Sequence, residues 1–118
     1  MISISIIIPI YNEEKTILKI LNKINDLKKD LKIEIIVVND GSIDSSKKII
    51  EKNTNLYQKS LHLKKNQGKG KAIIEGLKIA SYEYVFFQDA DLEYDPNDLK
   101  KFIKIIKNQN ADLILGSR

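Results

Sequence analysis

Two stretches of this chain are apolar at nearly every position: Ile4–Ile10, read ISIIIPI, and Ile33–Val38, read IEIIVV. Both are rich in β-branched residues and short enough for strands. A strand with one wet face alternates apolar and polar residues. One that is apolar throughout is covered on both faces, as in the interior of a parallel sheet. The chain is therefore restricted to architectures that lay a helical layer on each side of a sheet. Pro9 sits near the end of the first run, where a missing ladder donor is tolerated.

The intervening segments supply those layers. After a turn at Tyr11-Asn12-Glu13-Glu14, the residues Ile17, Ile20, Leu21, Ile24 and Leu27 recur at helical spacing and predict a helix from about Glu14 to Leu27. Glu13 and Glu14 suit the positive end of its dipole. A second helix is predicted over Asp44–Lys52, capped by Asp44 or Ser42, with Ile49 and Ile50 inward. Gln58–Leu63 alternates weakly and reads as a short strand near an edge. The basic loop Lys64–Gly70 leads into a predicted helix Lys71–Ala80, with Ile73, Ile74, Leu77 and Ala80 inward. Tyr84–Gln88 is the fourth strand, with Tyr82 and Tyr84 as packing residues. Pro96–Lys107, capped by Asp95, carries Leu99, Phe102, Ile103 and Ile106 on one stripe, and Ala111–Leu115 is a last strand. The order β-α-β-α-β-α-β-α-β implies an α/β protein with three α/β/α layers, a mostly parallel sheet and right-handed crossovers, in a single domain over residues 1–118.

Composition narrows the chemistry. The 118 residues include no Cys, which excludes disulfides and thiolate metal sites. Any metal takes oxygen ligands or the one imidazole, His62, which lies inside a strand pattern and reads as structural. No apolar run approaches the roughly 20 residues of a membrane span. Met1-Ile2-Ser3-Ile4 lacks the basic leader of a signal peptide, so a cytoplasmic location is the default expectation. The net charge of +4 comes mostly from Lys spread along helices, without the clustered Arg, Lys and aromatics of a nucleic-acid footprint. That charge suits at most peripheral attraction to an anionic membrane.

Three strand ends hand over to polar clusters: Tyr11-Asn12-Glu13, Asn39-Asp40-Gly41-Ser42, and Asp89-Ala90-Asp91. In a parallel sheet they lie along one edge, where open α/β sheets bind ligands. Asp89 and Asp91, one residue apart and followed by Glu93 and Asp95, can share one hard cation that bridges phosphates. The plain alternative is a solvated acidic loop; convergence of three polar clusters at one edge argues against it. The loop Asn66–Lys71 feeds a helix N-terminus, which attracts anions, and its Gly68 and Gly70 allow close backbone approach. It is not a Walker A loop, and no G-x-G-x-x-G follows the first strand. An EF-hand is excluded because Tyr94 and Lys100 stand where its Gly and Glu belong. A nucleotidyltransferase would show a Gly-rich loop in place of Pro9-Ile10-Tyr11-Asn12-Glu13.

IIIPIYNEE, IIVVNDGSIDSS, NQGKGKA, FFQDADLEYDP and LGSR, in that order, resemble the family 2 glycosyltransferases with a GT-A fold. The similarity is to the polyprenyl-phosphate (dolichyl-phosphate) mannose and glucose synthase branch. It implies a Rossmann-like nucleotide-diphospho-sugar transferase half. It also implies hexose transfer from a UDP-glucose or GDP-mannose class donor to a polyprenyl or dolichyl phosphate. Pro9, Tyr11 and Glu13 would line the nucleoside pocket, and Asp40, with Val38 at its strand end, would meet the base or ribose. Asp89, Ala90 and Asp91 would bind the diphosphate. Asp89, Asp91 and Glu93 would hold Mg²⁺ or Mn²⁺, and Arg118 and Lys69 would meet phosphate. Asp91 and Arg118 are the expected catalytic residues. Members of the family continue beyond the GSR motif. The chain is thus expected to hold the donor half, and a non-catalytic nucleotide-sugar-binding module is the alternative.

Overall fold

A computed structural model describes residues 2–29, 31–90 and 114–116; at 29 and 114–116 only the backbone is described. Five strands run in chain order: β1 (Ser3–Ile10), β2 (Lys32–Asn39), β3 (Lys59–His62), β4 (Tyr84–Phe87) and β5 (Ile114–Gly116). Between them lie α1 (Ile17–Asp26), α2 (Ser46–Lys52) and α3 (Lys69–Ile79). All pairings are parallel, in the order β3-β2-β1-β4-β5. The short third strand is an edge strand, as its weak alternation predicts. The predicted helix Pro96–Lys107 lies outside the described residues.

The register explains why β1 and β2 are apolar throughout. Ile4, Ile6, Ile8 and Ile10, with Ile33, Ile35 and Val37, face one core cluster together with Ile17, Ile20, Leu21 and Ile24 of α1. The alternate residues Ile7, Ile36 and Val38 face a second cluster against Ala72 of α3. Burying the four α1 side chains, at about 1.5–3 kcal/mol each, far outweighs the missing side-chain cap at Thr16, which is worth about 1 kcal/mol.

Two expectations need correction. The first helix starts at Ile17, not Glu14, because Asn12–Thr16 form a turn in which the Glu13 carbonyl accepts from Thr16 and Ile17 N–H. On α3, Ile74 and Leu77 are exposed, while Ala72 and Gly76 are buried against the sheet and Ile79 and Ala80 pack on the same cluster. The helix approaches β1 so closely that a Cβ at Gly76 would lie 2.7 Å from Ile7 Cγ2. Small residues therefore occupy the closest approach, and the bulkier Ile74 and Leu77 are turned outward.

The two polar residues inside the apolar runs Ile4–Ile10 and Ile33–Val38, Ser5 and Glu34, are opposite each other on the α3 side. Glu34 Oε1 accepts from the Ser5 hydroxyl (2.8 Å) and the Ser81 N–H (3.0 Å). Its Oε2 accepts from the Ser81 hydroxyl (2.6 Å) and pairs with Lys59 (3.1 Å). Burial alone pushes the carboxyl up, but the Ser81, Ser5 and Lys59 hydrogen bonds together hold it below its ordinary value. This network ties the start of β1 and β2 to the segment that enters β4.

Candidate active site

The strand order reverses between β1 and β4. The chain runs outward through β2 to β3, then crosses back through α3 to the other side of β1. A crevice opens at such a switch point, outside the carboxyl ends of the strands. Here it is an open cleft of about 320 Å³ lined by Pro9, Tyr11, Glu13, Asp40, Asn66, Lys69, Asp89 and Ala90. These come from four separate segments: the ends of β1, β2 and β4, and the loop into α3.

One wall is bolted together by local polar chemistry. Asn12 has φ 53°, a left-handed conformation that Asn tolerates. Its Oδ1 accepts from the N–H groups of Ile43 (2.9 Å) and Asp44 (3.3 Å). In return the Ser42 hydroxyl accepts from Asn12 N–H, the Ser46 hydroxyl from Glu13 N–H, and Asp44 Oδ2 from Glu14 N–H. Burial pushes the Asp44 carboxyl up, yet these N–H groups and Ser46 together leave it below its ordinary value. The loops after β1 and β2 are one rigid unit, and Tyr11 and Glu13 are mounted on it.

Asp40 is buried, and its carboxylate organises the loop into α3. Oδ1 accepts from Gln67 N–H (2.8 Å); Oδ2 accepts from Gly68 N–H (2.9 Å) and Asn66 Nδ2 (3.1 Å). Gly41, at φ +71°, allows the two loops to meet, since a Cβ there would lie 2.3 Å from the Lys65 carbonyl carbon. Next to Asp40, Asn39 accepts Ser42 N–H and donates to His62 Nδ1 at 3.1 Å. Burial, reinforced by the charge of Lys47 and opposed by Glu51, holds the imidazole below its ordinary pKa. His62 is a structural residue of this turn.

On the opposite wall Asp89 is buried and forms an ion pair with Lys69, whose side chain is half-exposed at the first position of α3. The Thr16 hydroxyl donates to the Ala90 carbonyl and lies 3.1 Å from Glu13 Oε2, so it bridges two residues that line the cleft. Of the residues expected at the site, Pro9, Tyr11, Glu13, Asp40, Lys69, Asp89 and Ala90 are gathered here. Val38 is not on the cleft: its side chain is fully buried against α3, because it occupies an inward strand position. Asp91, Glu93 and Arg118 lie outside the described residues. Among the described residues no group of three carboxylates or imidazoles is placed to hold a metal. Asp89 supplies one oxygen donor facing the cleft, of the kind a hard cation takes. Asn66 and Thr16 escaped the sequence reading. Asn66 sits in a motif noted only for its glycines and lysines, and Thr16 falls inside the helix expected from Glu14.

The family model described as glycosyl transferase family 2 matches residues 5–118. The chain belongs to this family. It is 35% identical to the dolichol-phosphate mannosyltransferase of Pyrococcus furiosus, over 98% of this chain and 33% of that protein. Two GT-A structures are similar. One is TarS 1–349 of S. aureus in complex with UDP-GlcNAc, at TM-score 0.75 and 33% identity, covering 92% of this chain and 32% of that one. The other is the mannosyltransferase PcManGT of Pyrobaculum calidifontis in complex with GDP-Man and Mn²⁺, at TM-score 0.74 and 28% identity, covering 87% of this chain and 32% of that one. The chain spans half or less of the length of the curated relatives it matches here. No helix among the described residues is long and apolar enough to cross a membrane.

Proposed function

We propose that this chain is the donor-binding half of a glycosyltransferase that moves a hexose from a nucleotide-diphosphate sugar, of the GDP-mannose or UDP-glucose class, to a polyprenyl or dolichyl phosphate. The observation that carries the reading is the convergence of Tyr11, Glu13, Asp40, Lys69 and Asp89 on one cleft at the switch point of the sheet. Tyr11 offers an exposed ring for a base, and Glu13 a carboxylate for ribose hydroxyls. A carboxylate can accept about four hydrogen bonds, and three protein donors already serve Asp40, which leaves capacity for one N–H of a base.

Lys69 and the first turn of α3 meet the diphosphate, as cations and helix N-termini do. Asp89, with Asp91 and Glu93 by sequence, would hold Mg²⁺ or Mn²⁺, and Arg118 would add a phosphate contact. A divalent cation there stabilises the charge that develops on the leaving diphosphate. The acceptor phosphate is already ionised at neutral pH, so the reaction needs no strong general base on this chain. A lipid-linked acceptor brings the protein to the cytoplasmic face of a membrane, where its net charge of +4 favours anionic lipid.

Calorimetric titration with GDP-mannose and UDP-glucose, in Mn²⁺ and then in EDTA, tests the reading. Metal-dependent binding of one donor, lost in Asp91→Ala, is the expected result. Failure of both donors to bind sinks it.

A further inference from the structure

Thr16 occupies the N-cap of α1, yet its side chain makes no cap hydrogen bond. A threonine at that position ordinarily bonds a backbone N–H of the first turn. Here the hydroxyl is aimed the other way, at the Ala90 carbonyl and at Glu13 Oε2. The contact with Ala90 joins residues 74 apart in sequence, and it ties the α1 end of the nucleoside wall to the strand end that carries Asp89. Ala90 directly follows Asp89, so holding its carbonyl oxygen restrains the backbone of the strand end that carries the Asp89 carboxylate.

A hydroxyl has one proton, and Thr16 faces two acceptors. We infer that Thr16 is a positioning residue that couples the two walls of the donor site. When a donor hydroxyl bonds Glu13, the Thr16 hydroxyl donates its hydrogen bond to the Ala90 carbonyl alone and tightens the carboxylate side. The inference rests on the donor-site reading above and adds to it a residue that touches neither diphosphate nor base.

The test compares Thr16→Val, which keeps the shape and removes the hydroxyl, with Thr16→Ser, which keeps the hydroxyl. Affinities are measured in Mn²⁺ for the intact nucleotide-diphosphate sugar that the wild type binds and for the matching nucleoside monophosphate. Loss of the hydroxyl weakens the diphosphate sugar about two- to tenfold, the range of one hydrogen bond, and the monophosphate less than about twofold. Serine restores both. Equal weakening of the two ligands, or an unchanged diphosphate sugar, overturns the inference while leaving the donor site standing. A wild type that binds no nucleotide sugar sinks the donor site and the inference together. Thr16→Ala is the second variant; if both it and Thr16→Val fail to fold, Thr16 is a structural residue and the inference is overturned.

Discussion

Glu34 and Asp89 stand at opposite ends of one parallel sheet, and by the usual markers they look alike. Each is a buried carboxylate, 6% and 7% exposed at the side chain, and each holds a half-exposed lysine, Lys59 or Lys69. The difference is saturation. Glu34 spends all of its acceptor capacity on Ser5, Ser81 and Lys59, and it does not line the cleft at the switch point. Asp89 pairs with Lys69 on the wall of an open cleft. A buried charge therefore does not by itself mark a functional site. A saturated carboxylate fixes structure, and one that retains acceptor capacity beside an opening is available to a ligand. Asp40 lies between the two, holding a loop with three donors and still facing the cleft.

The contrast is open to direct attack. Glu34→Leu strips the acceptor from Ser5 and Ser81 and leaves Lys59 with only the Ile79 carbonyl, so unfolding free energy should fall by about 3 kcal/mol while donor affinity of the folded protein holds. Denaturant titration beside calorimetry measures both, and a loss of affinity without a loss of stability would erase the distinction. Asp89→Asn is the mirror case. Metal-dependent donor affinity should fall roughly 10- to 100-fold, with the denaturation midpoint nearly unmoved. A large drop in stability instead would make Asp89 a second Glu34.

Gly76→Ala probes the element the two ends share. Lys69 begins α3 and Ser81 follows its end, so a methyl group against Ile7 presses on both. About 1–2 kcal/mol of stability and a few-fold of donor affinity should be lost together. The smallest effect is with pH. Because the folded Glu34 carboxyl lies below its ordinary value of 4.5, the unfolded chain binds more protons there. Its contribution is present above that value and lost as pH falls through the lower, folded pKa. Acid unfolding curves of wild type and Glu34→Gln should therefore converge towards low pH, and curves that stay parallel would remove Glu34 as the cause.

Much of this was written in the chain. Apolar runs with no polar alternation demanded two covered faces, and Ile17, Ile20, Leu21 and Ile24 are the buried stripe that their spacing predicts. The polar residues after three strands do converge. The misreadings share a physical cause. On α3, hydrophobic periodicity weighed bulk, whereas close helix–sheet approach selected Ala72 and Gly76 and left Ile74 and Leu77 outside. The work of Asp40 was hidden because two of its partners are backbone N–H groups, which leave no trace in residue identity. Thr16 was hidden because the expected helix began at Glu14, which placed Thr16 inside its first turn instead of at the helix start.

The larger core cluster carries one further consequence. Apart from Tyr84, Phe86 and Ala90, all of its buried members among the described residues lie between Ile4 and Ile50. Contacts between residues close in sequence form early, and a chain leaves the ribosome N-terminus first. One face of the sheet, with the Asn12–Asp44 bolt across its loops, can thus assemble while Asp89 is still untranslated. Synthesis then delivers the acidic strand end to a β1–β2 wall that is already standing, and the order of translation becomes the order in which the two halves of the cleft are built.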